Sequence, residues 1–181
     1  MSTGQTSADQ FEQLAMPLFD SLYNFAHWLT CNREEAEELV QETYLKALKG
    51  FSGFQQGTNF RAWIFRILRN TFLTSRSGLK AMQTVPFDVA DEETAAAAVN
   101  EETPESILLG RASQEAIQAA LQQLPVIFRE VVLLCDVEDM SYDEISQTIG
   151  IPVGTVMSRL HRARRSLRQL LQEKVHGAAN D

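Results

Sequence analysis

Apolar residues in this chain recur at steps of three and four and nowhere alternate, which confines it to helices. Phe11, Leu14, Leu18, Leu22, Phe25 and Leu29 make one amphipathic stripe. Pro17, inside that stripe, predicts a kink or the start of the main part of the helix. At Asn32-Arg33-Glu34-Glu35 an N-cap residue is followed by glutamate at the third helical position. Glu34, Glu35, Glu37 and Glu38 fill the first turns of that helix and Lys46 and Lys49 its end, as the helix dipole favours. Gly50 is the expected stop. After a polar loop, Ser52 to Asn59, a third helix is expected from about Phe60 to Ser75, with Trp63, Ile64, Ile67, Leu68 and Leu73 among its arginines.

The pattern fails from Ser77 to about Glu102, where Gly78, Pro86, the alanines 95–98 and a string of acids read as a flexible linker. Thr103-Pro104-Glu105 restarts a helix, with proline at its first position. Ile117, Ala120, Leu121 and Leu124 give the next stripe, and Pro125 opens a helix carrying Phe128, Val131, Val132 and Leu134. Ser141-Tyr142-Asp143-Glu144 is a capping box for a short helix ending at Gly150, and Pro152 starts a last helix reaching about Gln172. The expectation is an all-α chain of two small helical domains, 1–76 and 103–181, joined by a flexible acidic linker, 77–102. The second is a helix-turn-helix domain.

No apolar run approaches the ~20 residues of a membrane span, and the N-terminus lacks a secretory pattern. The chain is therefore expected in the cytoplasm with no membrane span. Two cysteines, Cys31 and Cys135, and three scattered histidines show no ligand spacing, so neither metal nor cofactor is expected. Both cysteines read as small core or boundary residues. Asp136 and Glu138 beside Cys135 oppose a reactive thiolate. His27 and Trp28 are expected to pack in the first helical pair.

The formal charge is −8, yet two segments hold bases only. Phe60 to Lys80 carries Arg61, Arg66, Arg69, Arg76 and Lys80. Gly154 to Leu171 carries Arg159, Arg162, Arg164, Arg165 and Arg168. Phosphate senses the local field, because salt screens charges beyond about 10 Å. Two nucleic-acid contacts are implied; the plainer alternative is two solvated helix faces.

The last helix supports the first reading. At about 100° per residue, Val156, Leu160, Ala163, Leu167 and Leu170 fall within one narrow arc, and all five arginines lie outside it. A short capped helix, a glycine turn and a basic helix make the layout of a DNA reader. Ser141 to Ile145 and Ile151 to Arg164 then resemble the promoter −35-reading segment of bacterial extracytoplasmic-function (ECF) sigma factors. By that resemblance Thr155, Ser158, Arg159, His161, Arg162 and Arg165 face the −35 element.

The N-terminal half resembles the same family. Ala36 to Ala47 is similar to the helix that docks on the β′ clamp coiled coil of RNA polymerase, which implies docking through Glu38, Gln41, Glu42 and Lys46 around an apolar ridge. The loop and third helix resemble the segment that melts and reads the −10 element, implying contacts by Phe54, Phe60, Arg61, Arg66, Arg69 and Asn70. Aromatics stack unpaired bases and basic groups hold the backbone. Trp63 is expected in the core, and Phe60 stays open between core and surface. Thr74 departs from the polar contact common in the family one turn after Asn70.

The resemblance implies a non-catalytic alternative sigma factor that binds core RNA polymerase (β′ clamp coiled coil and β subunit) and promoter DNA under an anti-sigma partner. Val153 to Arg164 resembles the subgroup paired with zinc-binding anti-sigma proteins. The rival readings are a stand-alone helix-turn-helix regulator and a sigma-like decoy for an anti-sigma protein. No nucleophile, base and orienting group form a recognisable set, so no enzyme is expected.

Overall fold

Pro17 divides the first apolar stripe in two. The computed structural model describes residues 3–77 and 114–177, with side chains for 7–76 and 114–173. Helix α1 (Thr3–Ala15) ends in a tight turn, Met16–Leu18, before α2 (Phe19–Thr30) begins. Proline sits at the start of that turn, where its missing N–H costs no helical bond. The turn shifts the helical phase. Phe11, Leu22, Phe25 and Leu29 are buried as the stripe predicts, whereas Leu18 is half-buried and Leu14 is exposed.

Cys31 closes α2 in the left-handed region, φ 55°, with its N–H bonded to the His27 carbonyl at 2.7 Å. Asn32 then caps α3 (Arg33–Gly50), its side-chain oxygen accepting from the Glu35 N–H at 3.2 Å. A second tight turn, Phe51–Gly53, and the polar loop lead into α4 (Phe60–Ser77). Asn59 caps α4 by accepting from the Ala62 N–H at 3.0 Å. The expected linker, the Thr103-Pro104 start and the chain termini lie outside the described residues.

The second half comprises α5 (Gln114–Gln123), α6 (Val126–Val132), a wide π-type turn Leu133–Val137, α7 (Tyr142–Ile149) and α8 (Val153–Gly177). Where one apolar helix was expected through Leu134, the widened turn instead holds Glu138 N–H on the Leu133 carbonyl at 3.0 Å. Both arms of the capping box form. Ser141 Oγ accepts from the Glu144 N–H at 3.2 Å, and Glu144 accepts from the Ser141 N–H at 2.9 Å. No strand occurs among the described residues.

Within each half the helices pack in chain order, α2 on α3 on α4, and α6 and α7 on α8. The halves also pack on each other, α4 against α7 and α2 against α6 and the widened turn, so their buried side chains form one continuous cluster. Arg129, almost fully buried, stitches this junction. Its Nη1 donates to the Leu29 carbonyl at 2.8 Å, and its Nη2 to the Gln122 and Leu124 carbonyls at 2.9 and 3.1 Å.

Candidate nucleic-acid interface

Gly150 sets the angle between the two helices of the helix-turn-helix. It ends α7 at φ 79°, a region that L side chains rarely adopt, and its N–H bonds the Ser146 carbonyl at 2.8 Å. Ser146 Oγ then donates to the Ile151 carbonyl at 2.6 Å and steadies the turn. From there α8 buries Val156, Leu160, Ala163, Leu167 and Leu171. Leu171 takes the place that the sequence pattern assigns to Leu170, which is half-buried, because the buried arc lies slightly further round the helix.

On the outer side of α8, Ser158, His161, Arg162 and Arg165 are exposed and Thr155 is half-buried. Arg159 is drawn inward, with Nη1 3.8 Å from Glu130 Oε1. Arg164 is also turned in: its Nε donates to Asp136 Oδ2 at 3.0 Å and its Nη2 to Oδ1. The freely presented cations of the expected −35 surface are therefore Arg162 and Arg165.

The expected −10 residues divide. Phe54 is half-buried, stacked on Phe51 with ring centres 5.9 Å apart and 5.0 Å from Trp63. Phe60 lies in the core at 8 % exposure, with Phe11, Phe51 and Phe54 edge-on around it. Trp63 is half-buried in the same cluster. Asn70 is exposed. The three arginines all meet the second half of the chain. Arg61 Nη2 donates to the Glu138 carbonyl and lies 3.3 Å from its carboxylate. Arg66 Nη2 donates to the Gln147 carbonyl. Arg69 grips Glu130 with two bonds, Nε to Oε2 at 2.7 Å and Nη2 to Oε1 at 3.1 Å.

The expected docking residues sit on α3. Glu38, Gln41 and Glu42 are exposed together. Lys46 is exposed with them and leans toward α4, pairing with Glu42 at 2.7 Å and donating to Thr71 Oγ1 at 3.3 Å. Between the acids stands Leu45, 59 % exposed, with Leu48 one turn away. Leu45 lies opposite the buried Ala36, Leu39, Val40, Thr43 and Ala47 and Leu48 on the flank of that outer face, so plotting the helix by angle finds them from sequence.

Several residues of the junction escape motif reading, Asn59, Arg129, Glu130 and Glu138, and the capping-box residue Glu144 gains a partner across the junction that the motif does not announce. Asn59 Nδ2 donates to Glu144 Oε1 at 2.9 Å, tying the cap of α4 to the cap of α7. Burial pushes the Glu130 carboxyl up from its ordinary range, and Arg69 and Arg159 pull it back. Burial likewise raises Glu138, against Ser21 and Arg61. Their sequence signal is an acid within or just after the apolar run Val126 to Leu134, where a charge survives only with a partner.

No cluster of metal-ligating side chains occurs among the described residues, and no helix among them is long and apolar enough to cross a membrane.

Known families match both halves. Sigma-70 region 2 matches residues 15–81 and sigma-70 region 4 matches 114–167. The ECF RNA polymerase sigma factor SigE of Mycolicibacterium smegmatis is 39 % identical over 170 residues, which cover 88 % of this chain and 64 % of that protein. The chain thus spans under two thirds of that relative. EcfG of Rhodopseudomonas palustris, another ECF RNA polymerase sigma factor, is 36 % identical over 86 % of this chain and 88 % of its own length. Among solved structures, the sigma factor RpoE in complex with the anti-sigma factor NepR from Bartonella quintana superposes with a TM-score of 0.69. Its identity is 29 %, covering 90 % of this chain and 97 % of that one. Matched at both ends by sigma-70 regions and along most of its length by EcfG, the chain belongs to the ECF RNA polymerase sigma factors, a family of non-enzymatic transcription initiation factors.

Proposed function

We propose that this protein is an alternative sigma factor whose residues 1–76 dock on core RNA polymerase and open the −10 element, while residues 103–181 read the −35 element. The observation that carries the reading is the outer face of α8, where His161, Arg162, Arg165 and Ser158 stand exposed on a helix held by a complete capping box and a left-handed glycine. Arg162 and Arg165 supply phosphate or guanine contacts and Ser158 a hydroxyl. Thr155 and Arg159 join them once Arg159 is released from Glu130. On the −10 side Phe54 and Asn70 take the unpaired bases, with Arg61, Arg66 and Arg69 on the backbone. Phe60 supports Phe54 from below.

Docking on the β′ clamp coiled coil uses Glu38, Gln41 and Glu42 around the apolar ridge of Leu45 and Leu48. Lys46 fixes the position of Glu42. The protein acts in the cytoplasm, has no enzymatic activity, and is held in check by an anti-sigma protein, as the sigma factor in the RpoE–NepR complex is bound by one. Likeness of the segment Val153 to Arg164 favours a zinc-binding partner. A decoy for an anti-sigma protein has no use for the basic outer face of α8, and a stand-alone regulator none for the α3 ridge.

Co-elution with core polymerase on gel filtration tests the docking arm. The wild type is expected to co-elute, and Leu45→Asp, on an exposed position, to lose at least tenfold in affinity. A wild type that elutes alone overturns the proposal.

A further inference from the structure

Every arginine expected at the −10 strand is engaged by the half of the chain expected at the −35 element. Arg61 meets Glu138, Arg66 the Gln147 carbonyl and Arg69 the Glu130 carboxylate. The side chains of Arg61 and Arg69 keep only 28 % and 16 % exposure. Asn59, which opens α4, bonds Glu144 across the same seam. Glu130, 1 % exposed, also reaches Arg159 of α8. A single buried carboxylate thus lies between one arginine of each DNA-reading segment.

Such a seam competes with DNA. Phosphates bind arginines by the same N–H donors that are now occupied, a pair of them by Glu130 at Arg69 and one by Glu138 at Arg61. Reading separate stretches of one duplex also needs the two DNA-reading faces free of each other, whereas α4 here packs directly on α7. Parting the halves takes the guanidinium of Arg69 from Glu130 and leaves a buried carboxylate short of its main partner, so the seam holds unless DNA or polymerase supplies a better arrangement.

We infer that the packed arrangement is an autoinhibited state of the free protein, with Glu130 as the latch that withholds Arg69 and Arg159 together. The inference rests on the −10 and −35 assignments proposed above. A protein competent for DNA only when open binds with an affinity reduced by the open fraction, so weakening the latch raises affinity without adding a contact.

The test measures binding of the full chain, without polymerase, to two fluorescent probes from a promoter it transcribes with core enzyme: a −10 single strand and a −35 duplex. Glu130→Gln is expected to tighten both about fivefold and to enlarge the radius of gyration in solution scattering. Glu138→Gln removes the carboxylate that holds Arg61 while the backbone carbonyl stays, so it loosens Arg61 alone and is expected to tighten the −10 strand about threefold and leave the −35 duplex unchanged. Asp143→Asn, which removes an exposed acid of α7, controls for simple loss of negative charge and is expected to change neither. Should Glu130→Gln not fold, the probe selectivity of Glu138→Gln decides. Folded variants that bind no tighter than wild type, or no tighter than Asp143→Asn, overturn the latch while transcription by the wild type keeps the sigma reading. Failure of the wild type to transcribe any promoter overturns both.

Discussion

Arg129 donates a hydrogen bond from Nη1 to the carbonyl of Leu29 at 2.8 Å, joining the second half of the chain to the end of the second helix of the first. The same guanidinium bonds the Gln122 and Leu124 carbonyls where α5 ends. Carbonyls at helix C-termini carry partial negative charge and lack intrahelical donors, so one buried cation serves two helix ends. Burial pulls its pKa down from the ordinary arginine value. Arg129→Met keeps the apolar stem and strands three carbonyls. A loss of about 2–4 kcal/mol in urea unfolding is expected, with Arg129→Lys recovering under half, since one ammonium does not span the same acceptors.

The helix-turn-helix angle depends on one backbone conformation. Gly150→Ala meets open space yet must adopt φ 79°, so it is expected to cost about 1–2 kcal/mol. Gly154, in the first turn of α8, also has open space and no positive φ. There alanine is expected to stabilise by about 0.5 kcal/mol. Thermal unfolding of the two variants, with opposite signs, checks the assignment.

Glu144 links stability to pH. The Ser141 backbone N–H and the Asn59 amide hold its carboxyl below the ordinary value of 4.5. A carboxylate with a lowered folded pKa stabilises above its unfolded pKa, and that contribution is lost as pH falls through the folded value. Wild type is therefore expected to exceed Glu144→Gln in urea midpoint at about pH 6 and to lose the advantage progressively as the pH is taken below 4.5. An advantage that grows on acidification contradicts this hydrogen-bond scheme.

Both cysteines are expected to resist alkylation in the native state. Burial, and next the Asp136 carboxylate, push the Cys135 thiol up to about 11, and burial raises Cys31 against the pull of Arg129. Little thiolate then exists at neutral pH. Mass spectrometry after iodoacetamide at about pH 7.5 should find both sites modified far more slowly than in urea.

The elements legible in the sequence are those specified locally. Asn32, the Ser141–Glu144 box and Gly150 act on residues three or four positions away, and each takes its expected role. Leu14 and Leu170 miss the core because a turn at Pro17 and a small rotation of α8 displace the apolar arc, and residue spacing alone records neither. The arginines are the harder case. Arg69 on a DNA-reading face and Arg69 paired with a carboxylate 61 positions away have the same local sequence. What betrays the pairing is Glu130 itself, an acid in an apolar run that packing can tolerate only with a cation beside it. Leu45, exposed opposite the buried face of α3, was open to the same angular arithmetic that served α8.

Transcription from a pool of genomic promoter fragments by purified core RNA polymerase and this protein tests the central claim most directly. Discrete transcripts are expected with wild type. They should fall at least tenfold with the paired substitution Arg162→Ala and Arg165→Ala, which removes the two exposed arginines of α8 and leaves its buried face intact. No transcript above core polymerase alone, or undiminished transcripts from the doubly substituted protein, would contradict promoter reading by that helix.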